Sequence, residues 1–172
     1  MFSVTQVLSP FSDFSRIPDD VLQAACDRGV SVHRYCQAYA LGAWAIEPEG
    51  FEGYCESFRR WFDGYVMGVI SVEQEYRDAQ FGFKGHPDIV AIIKGSGKRE
   101  VLAVIDYKTP VGKGTTWELQ LAAYRHLTQA TKAGSLRLDS AGGVPKMDWI
   151  PNDPKLFNLF LSALSLKNYF SK

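Results

Sequence analysis

Three ionisable side chains stand where they can act together. Asp88 follows Pro87, and Asp106-Tyr107-Lys108 begins eighteen residues later. The stretch between reads as two apolar strands, 87–94 and 100–108, around a turn at Gly95-Ser96-Gly97. A hairpin returns Asp88 to the neighbourhood of Asp106. Alternation along the second strand puts Asp106 and Lys108 on one face and Tyr107 on the other. Two carboxylates brought together at the end of apolar strands need a counter-ion. A divalent cation supplies one, and Mg²⁺ favours a few carboxylates with waters and a phosphate oxygen. Such an ion polarises a phosphate and acidifies a bound water. An ammonium beside it orients that water or stabilises charge on the pentacovalent centre.

The rest of the chain must place these groups. A helix is expected from Pro18-Asp19-Asp20, broken at Gly29. A second helix is expected over 30–45, with Val32, Tyr35, Cys36 and Tyr39 on one face. A third covers 50–66, with a stripe of Phe51, Tyr54, Cys55, Phe58, Trp61, Phe62 and Tyr65 that belongs in the core. Strands follow at 70–77 and 81–83, before the hairpin. A helix over 115–132 starts at Thr115 or Thr116 and stops before Gly134. Short strands at 136–140 and 144–149, joined by Gly142-Gly143, lead to a final helix over 153–170. This order predicts an α+β (mixed α/β) fold. At 172 residues, with no repeat and no long linker, the chain reads as one domain. Its parts are a helical segment over 1–67, a sheet and helix over 68–150, and a closing helix over 151–172.

Each candidate also has an ordinary use. Asp88 can cap the turn after Pro87, and Asp106 with Lys108 can form a structural ion pair. His33 lies on a helix beside Arg34 and Gln37 and can be a plain surface histidine. Gln120 and Tyr124 are one helical turn apart on one face. Glu73 and Glu75 share a strand face, so alternation does not choose between them. Lys84, Lys94, Lys98, Arg99, Lys113 and Arg125 are candidates for phosphodiester contacts, with Lys113 the best placed after the lysine motif. The GKGTT around Lys113 is not a P-loop, because the upstream glycine is missing.

Taken together, these residues resemble the PD-(D/E)xK nuclease superfamily. Asp106 stands in its acidic position and Lys108 is its lysine. Gln120-Leu-Ala-Ala-Tyr124 resembles the Q-x-x-x-Y motif of the RecB-like branch, and Arg28-Gly29-Val30-Ser31-Val32-His33 its G-x-x-V-H element. Val72-Glu73-Gln74-Glu75-Tyr76 resembles the segment before the first aspartate, with Glu73 the better fit. The resemblance runs in order from about residue 28 to 124. It implies a restriction-endonuclease-like core, a central mixed sheet flanked by helices. It implies a deoxyribonuclease dependent on Mg²⁺ or Mn²⁺, most simply an exonuclease acting on ends or single strands. An endonuclease for branched or specific sites is the alternative, as is a DNA-binding or assembly module that kept the fold. The implied metal ligands are His33, Asp88, Asp106, the Tyr107 backbone carbonyl and Glu73. The implied catalytic residues are Asp88, Asp106, Lys108, Gln120 and Tyr124. Lys113, Arg125 and Lys84 would contact DNA.

Composition bounds the partners. Residues 1–81 carry 6 basic and 12 acidic side chains, whereas residues 82–137 carry 9 basic and 4 acidic. The middle of the chain can therefore face a polyanion, although the whole is neutral. Neutrality argues against a purely electrostatic nucleic-acid binder. Cys26, Cys36 and Cys55 are an odd set without a C-x-x-C pair, so neither a disulfide framework, a zinc site nor an iron–sulfur cluster is expected. No apolar run is long enough for a membrane span, and the N-terminus does not read as a secretory signal. The expectation is a cytoplasmic protein that resembles small stand-alone nucleases, such as those of phages and mobile elements, with DNA, further copies of itself, or a recombination or replication protein as partners.

Overall fold

The computed structural model describes residues 1–12, 15, 17–109 and 113–171. Pro110, Gly112 and the Lys98 side chain lie outside the described residues. The chain begins with β1 (Phe2–Ser3) and α1 (Val4–Leu8), then α2 (Asp19–Ala40) and α3 (Glu52–Tyr65). The strands β2 (Val66–Val72), β3 (Tyr76–Asp78), β4 (Phe83–Gly85), β5 (Ile89–Lys94) and β6 (Glu100–Lys108) follow. After them come α4 (Trp117–Thr128), β7 (Lys132–Arg137), β8 (Lys146–Trp149) and α5 (Pro154–Phe170). The fold is α+β, as expected. Five strands form a mixed sheet in the order β2-β5-β6-β7-β8. Only β6 and β7 in it run parallel, because α4 carries the chain across between them. A second sheet, β1-β4-β3, stands apart.

The alternation read from the sequence sorts the main sheet into two faces. Ile89, Ala91, Ile93, Ala103, Ile105 and Tyr107 pack with Val32, Tyr35 and Cys36 of α2 and Cys55, Phe58 and Trp61 of α3. Val90 and Val104 pack on the other side with Leu121, Ala123 and Tyr124 of α4 and Phe160 of α5. The aromatic stripe of α3 thus goes into the core, apart from Tyr65, which is exposed. Every one of these apolar side chains leaves water on folding, which is the main force holding the layers together.

Several element boundaries differ from expectation. Gly29 does not break the helix: α2 runs through it for 22 residues. Glycine in a helix costs about 1 kcal/mol against alanine, which the packing of Val32, Tyr35 and Cys36 outweighs. The helix stops at Ala40 rather than 45, with Gly42 just beyond at φ +67°. The strand expected over 70–77 is two strands in different sheets. It starts at Val66, breaks at Glu73, where φ is 50°, and resumes at Tyr76. The strand expected at 81–83 starts only at Phe83, after a turn through Gly82. Helix α4 ends at Thr128, capped by left-handed Gln129, and Thr116 precedes it without a side-chain cap bond. Gly134 lies inside β7, where a Cβ would come within 2.7 Å of the Trp149 ring. No helix among the described residues is long and apolar enough to cross a membrane.

Candidate active site

The site forms where β5 and β6 meet between α2 and α4. Ile89 pairs with Ile105, so Asp88 and Asp106 face each other one step further along the ladder. Both are nearly fully buried, Asp88 at 7% and Asp106 at 4% exposure. The Tyr107 N–H donates to Asp88 Oδ2 at 2.5 Å. His33 reaches in from α2, with Nδ1 3.2 Å from Asp88 Oδ1 and Nε2 3.0 Å from the Tyr107 carbonyl oxygen. Both ring nitrogens therefore face oxygens, which is the arrangement an imidazolium satisfies by donating twice.

Glu73 completes the cluster. Its N–H donates to the Asp88 carbonyl, tying the end of β2 to the start of β5. Its left-handed backbone costs about 1–2 kcal/mol for a residue with a Cβ. Strain of this kind gathers at functional positions. Ligand atoms of His33, Glu73 and Asp88 all lie within 4.8 Å of one another. Glu75 instead pairs with Lys84 at 2.7 Å and with Arg77, so the structure separates the two glutamates that alternation left together.

The electrostatics follow from three carboxyl groups in a small, poorly solvated space. Burial disfavours the Asp88 charge, but His33, the Tyr107 N–H and Lys108 hold its carboxyl below the usual range. Burial alone would lower His33, yet the Asp88 carboxylate prevails and lifts the imidazole to about 9. Burial and the Asp88 charge push Glu73 up to about 7. Burial also raises Asp106, with Lys108 opposing and Asp88 reinforcing the shift.

Lys108 leaves β6 on the Asp106 face and pairs with that carboxylate. Its Nζ also donates to Gln120 Oε1 at 3.1 Å, and Gln120 Nε2 donates to the Tyr124 hydroxyl at 3.3 Å. Burial, then the Asp106 charge, raises the Tyr124 phenol. Tyr124 is seated against β4, where a Cβ at Gly85 would come within 2.7 Å of its ring. Tyr107 points the other way, edge-on to Phe58 with ring centres 5.1 Å apart. Sequence alternation therefore placed Asp106, Tyr107 and Lys108 on their proper sides.

The donor set suits a hard divalent cation. It offers carboxylate oxygens, an imidazole nitrogen and a peptide carbonyl, with no thiolate. Asp106 Oδ2 is held by the Lys108 ammonium, whereas Glu73 retains its proton unusually high in pH. A glutamate that holds its proton so long is the mark of a cluster short of positive charge.

The basic residues singled out from the sequence are spread around the molecule. Lys84 pairs with Glu75, Lys113 with Glu118 at 2.6 Å, and Arg125 donates to the Pro151 carbonyl at 3.0 Å. Lys94 donates to the Gly64 carbonyl at 2.8 Å. None of these contacts joins the acidic cluster. A groove of about 530 Å³ does, with Arg34, Gln37 and Cys26 of α2 on its walls beside His33 and Glu73. Sequence reasoning passed over Arg34 as a site residue, although it adjoins His33. It also passed over Trp117, three residues before Gln120 and close to Lys108.

No protein-family model matches the chain, and no curated protein matches it. Solved structures do. An alkaline exonuclease, LHK-Exo from Laribacter hongkongensis, superposes with a TM-score of 0.52 at 14% identity, covering 95% of this chain and 84% of that one. The chain shares that enzyme's fold. The structure of LHK-Exo in complex with dAMP aligns at a TM-score of 0.47 and 13% identity, over 96% of this chain and 84% of that one. At these identities the likeness extends to the fold alone.

Proposed function

We propose that the chain is a divalent-metal-dependent DNA nuclease, acting as an exonuclease on DNA ends or single strands. The observation that carries this reading is the meeting of Glu73, Asp88 and His33 with the Asp106–Lys108 pair at one end of the β5–β6 hairpin. The exonuclease choice draws support from the name of its fold neighbour, an alkaline exonuclease.

Asp88, Asp106, Glu73, His33 and the Tyr107 carbonyl would hold Mg²⁺ or Mn²⁺. The ion, when bound, supplies Lewis-acid polarisation of the phosphate and a more acidic water. The chain's own groups do the rest. The Tyr107 amide fixes the rotamer of Asp88 through its hydrogen bond to Oδ2. His33 must give up its proton at Nε2 before that nitrogen can act as a ligand. Lys108 keeps its ammonium next to the carboxylates, where it offsets negative charge developing on the phosphate oxygens. Gln120 holds that ammonium by Oε1, and Tyr124 accepts from the other end of the same amide. The groove beside His33 gives a strand access, with Arg34 available to a phosphate.

The test is a series of purified variants on linear DNA with Mg²⁺. Asp88→Ala, Asp106→Ala and Lys108→Ala are each expected to abolish cleavage while circular dichroism and melting show a folded protein. A wild-type rate in any Asp106 variant contradicts the reading. Metal binding without cleavage of linear or circular DNA would favour the binding module.

A further inference from the structure

We infer that Trp117 is the positioning residue of Lys108, setting the direction of its ammonium through the face of the indole. This rests on the reading of Lys108 as a participant in phosphodiester hydrolysis. The Lys108 side chain is only 16% exposed, and its Nζ lies 5.1 Å from the centre of the Trp117 ring. An ammonium over an indole is attracted by the ring quadrupole, more strongly once water is removed. The Asp106 carboxylate and Gln120 Oε1 are the ammonium's other partners. Without the ring, a flexible four-carbon stem has several ways of meeting those two oxygens. With it, the head is enclosed on a further side.

The placement of the ring is built into the backbone. Trp117, Gln120 and Tyr124 stand at positions i, i+3 and i+7 of α4 and so share the face turned to the site. Gly114 lies against the indole so closely that a Cβ there would sit 2.3 Å from Nε1. A side chain at 114 would displace the ring. Among the described residues, neither core cluster includes Trp117. The ring is thus seated between Gly114 and Lys108, outside both core clusters.

The experiment compares wild type, Trp117→Phe and Trp117→Leu by two readouts. The first is acylation of Lys108 by an N-hydroxysuccinimide ester without metal, quantified by peptide mass spectrometry against the exposed Lys155. The second is kcat and KM on linear DNA with Mg²⁺. Trp117→Leu is expected to raise the Lys108:Lys155 labelling ratio several-fold and to lower kcat roughly 10- to 100-fold. Its KM should stay within about threefold, because the interaction serves the transition state rather than uniform binding. Trp117→Phe keeps an aromatic face and should stay within about threefold of wild type in both readouts. An unchanged labelling ratio in Trp117→Leu overturns the inference, as does an unchanged kcat with a raised ratio. A wild-type protein that cleaves no DNA contradicts the nuclease reading instead, and the labelling ratio alone then decides the Trp117–Lys108 contact.

Discussion

Tyr107 and Asp88 are joined through the backbone: the Tyr107 amide donates to Asp88 Oδ2 at 2.5 Å, while the Tyr107 carbonyl faces His33 Nε2 at 3.0 Å. The Tyr107 peptide thus orders a carboxylate from across the sheet and an imidazole from α2 relative to one another. The side chain of Tyr107 is meanwhile buried in the core at 1% exposure. One strand residue anchors the site to the fold by its ring and orders the ligands by its peptide.

The charge relationship of this pair is directly measurable. Asp88→Asn removes the carboxylate that holds His33 up at about 9. The His33 titration, followed by NMR in EDTA, should fall toward the ordinary imidazole range. An unchanged titration would mean that Asp88 does not hold the imidazolium.

Stability without metal should decline as pH rises. Glu73 titrates at about 7 in the fold against 4.5 ordinarily, and His33 at about 9 against 6.5. The folded state then binds more protons than the unfolded state across this range, so the unfolding free energy has a negative slope with pH. The His33 contribution is complete below 6.5 and is lost as pH climbs through 9. The Glu73 contribution is complete below 4.5 and is lost through 7. Asp88, held low, works oppositely and only in acid, its stabilisation being lost as pH falls through its depressed value. Urea unfolding in EDTA at a series of pH values measures the slope. A rise in stability between pH 5 and 9 contradicts the assigned shifts.

Glu73→Gln should trade binding for stability. At pH 8 the wild-type carboxylate is ionised against Asp88, and the amide removes that repulsion. The variant should unfold at higher urea in EDTA, yet bind Mn²⁺ roughly tenfold or more weakly. Calorimetric titration with Mn²⁺ measures the second effect. A less stable variant with unaltered affinity would remove Glu73 from the site.

Gly85→Ala tests the seat of Tyr124. The new methyl would come within 2.7 Å of Cε1 and 3.1 Å of Leu127 Cδ1. Overpacking of this kind costs about 1–3 kcal/mol. Equilibrium unfolding should record that loss, with reduced DNA cleavage as the ring shifts away from Gln120.

Much of the site was legible because strands are periodic. The hairpin, its turn and the sidedness of Asp106, Tyr107 and Lys108 all follow from alternation over Glu100–Lys108. The relation of Glu73 to Glu75 was not legible, since alternation presumes an unbroken strand and Glu73 has φ 50°. Gly29 and Gly134 misled as helix stops for a shared reason. Glycine marks a turn only when the backbone needs it, and Gly134 serves instead to admit Trp149 and Met147 close to β7. The N-terminal β1–α1 was passed over, although Ser3 and Gln6 form a capping box whose spacing is visible in the sequence. Trp117 escaped notice because its partner, Lys108, is remote in sequence and met only through the packing of α4 beside β6.

The most direct measurement incubates linear and closed-circular DNA, single- and double-stranded, with Mg²⁺, Mn²⁺ or EDTA, with Asp106→Ala alongside. Linear DNA should be lost only with metal, circles should stay intact, and the variant should show no activity. Cleavage in EDTA, or equal cleavage by Asp106→Ala, would contradict the proposed function.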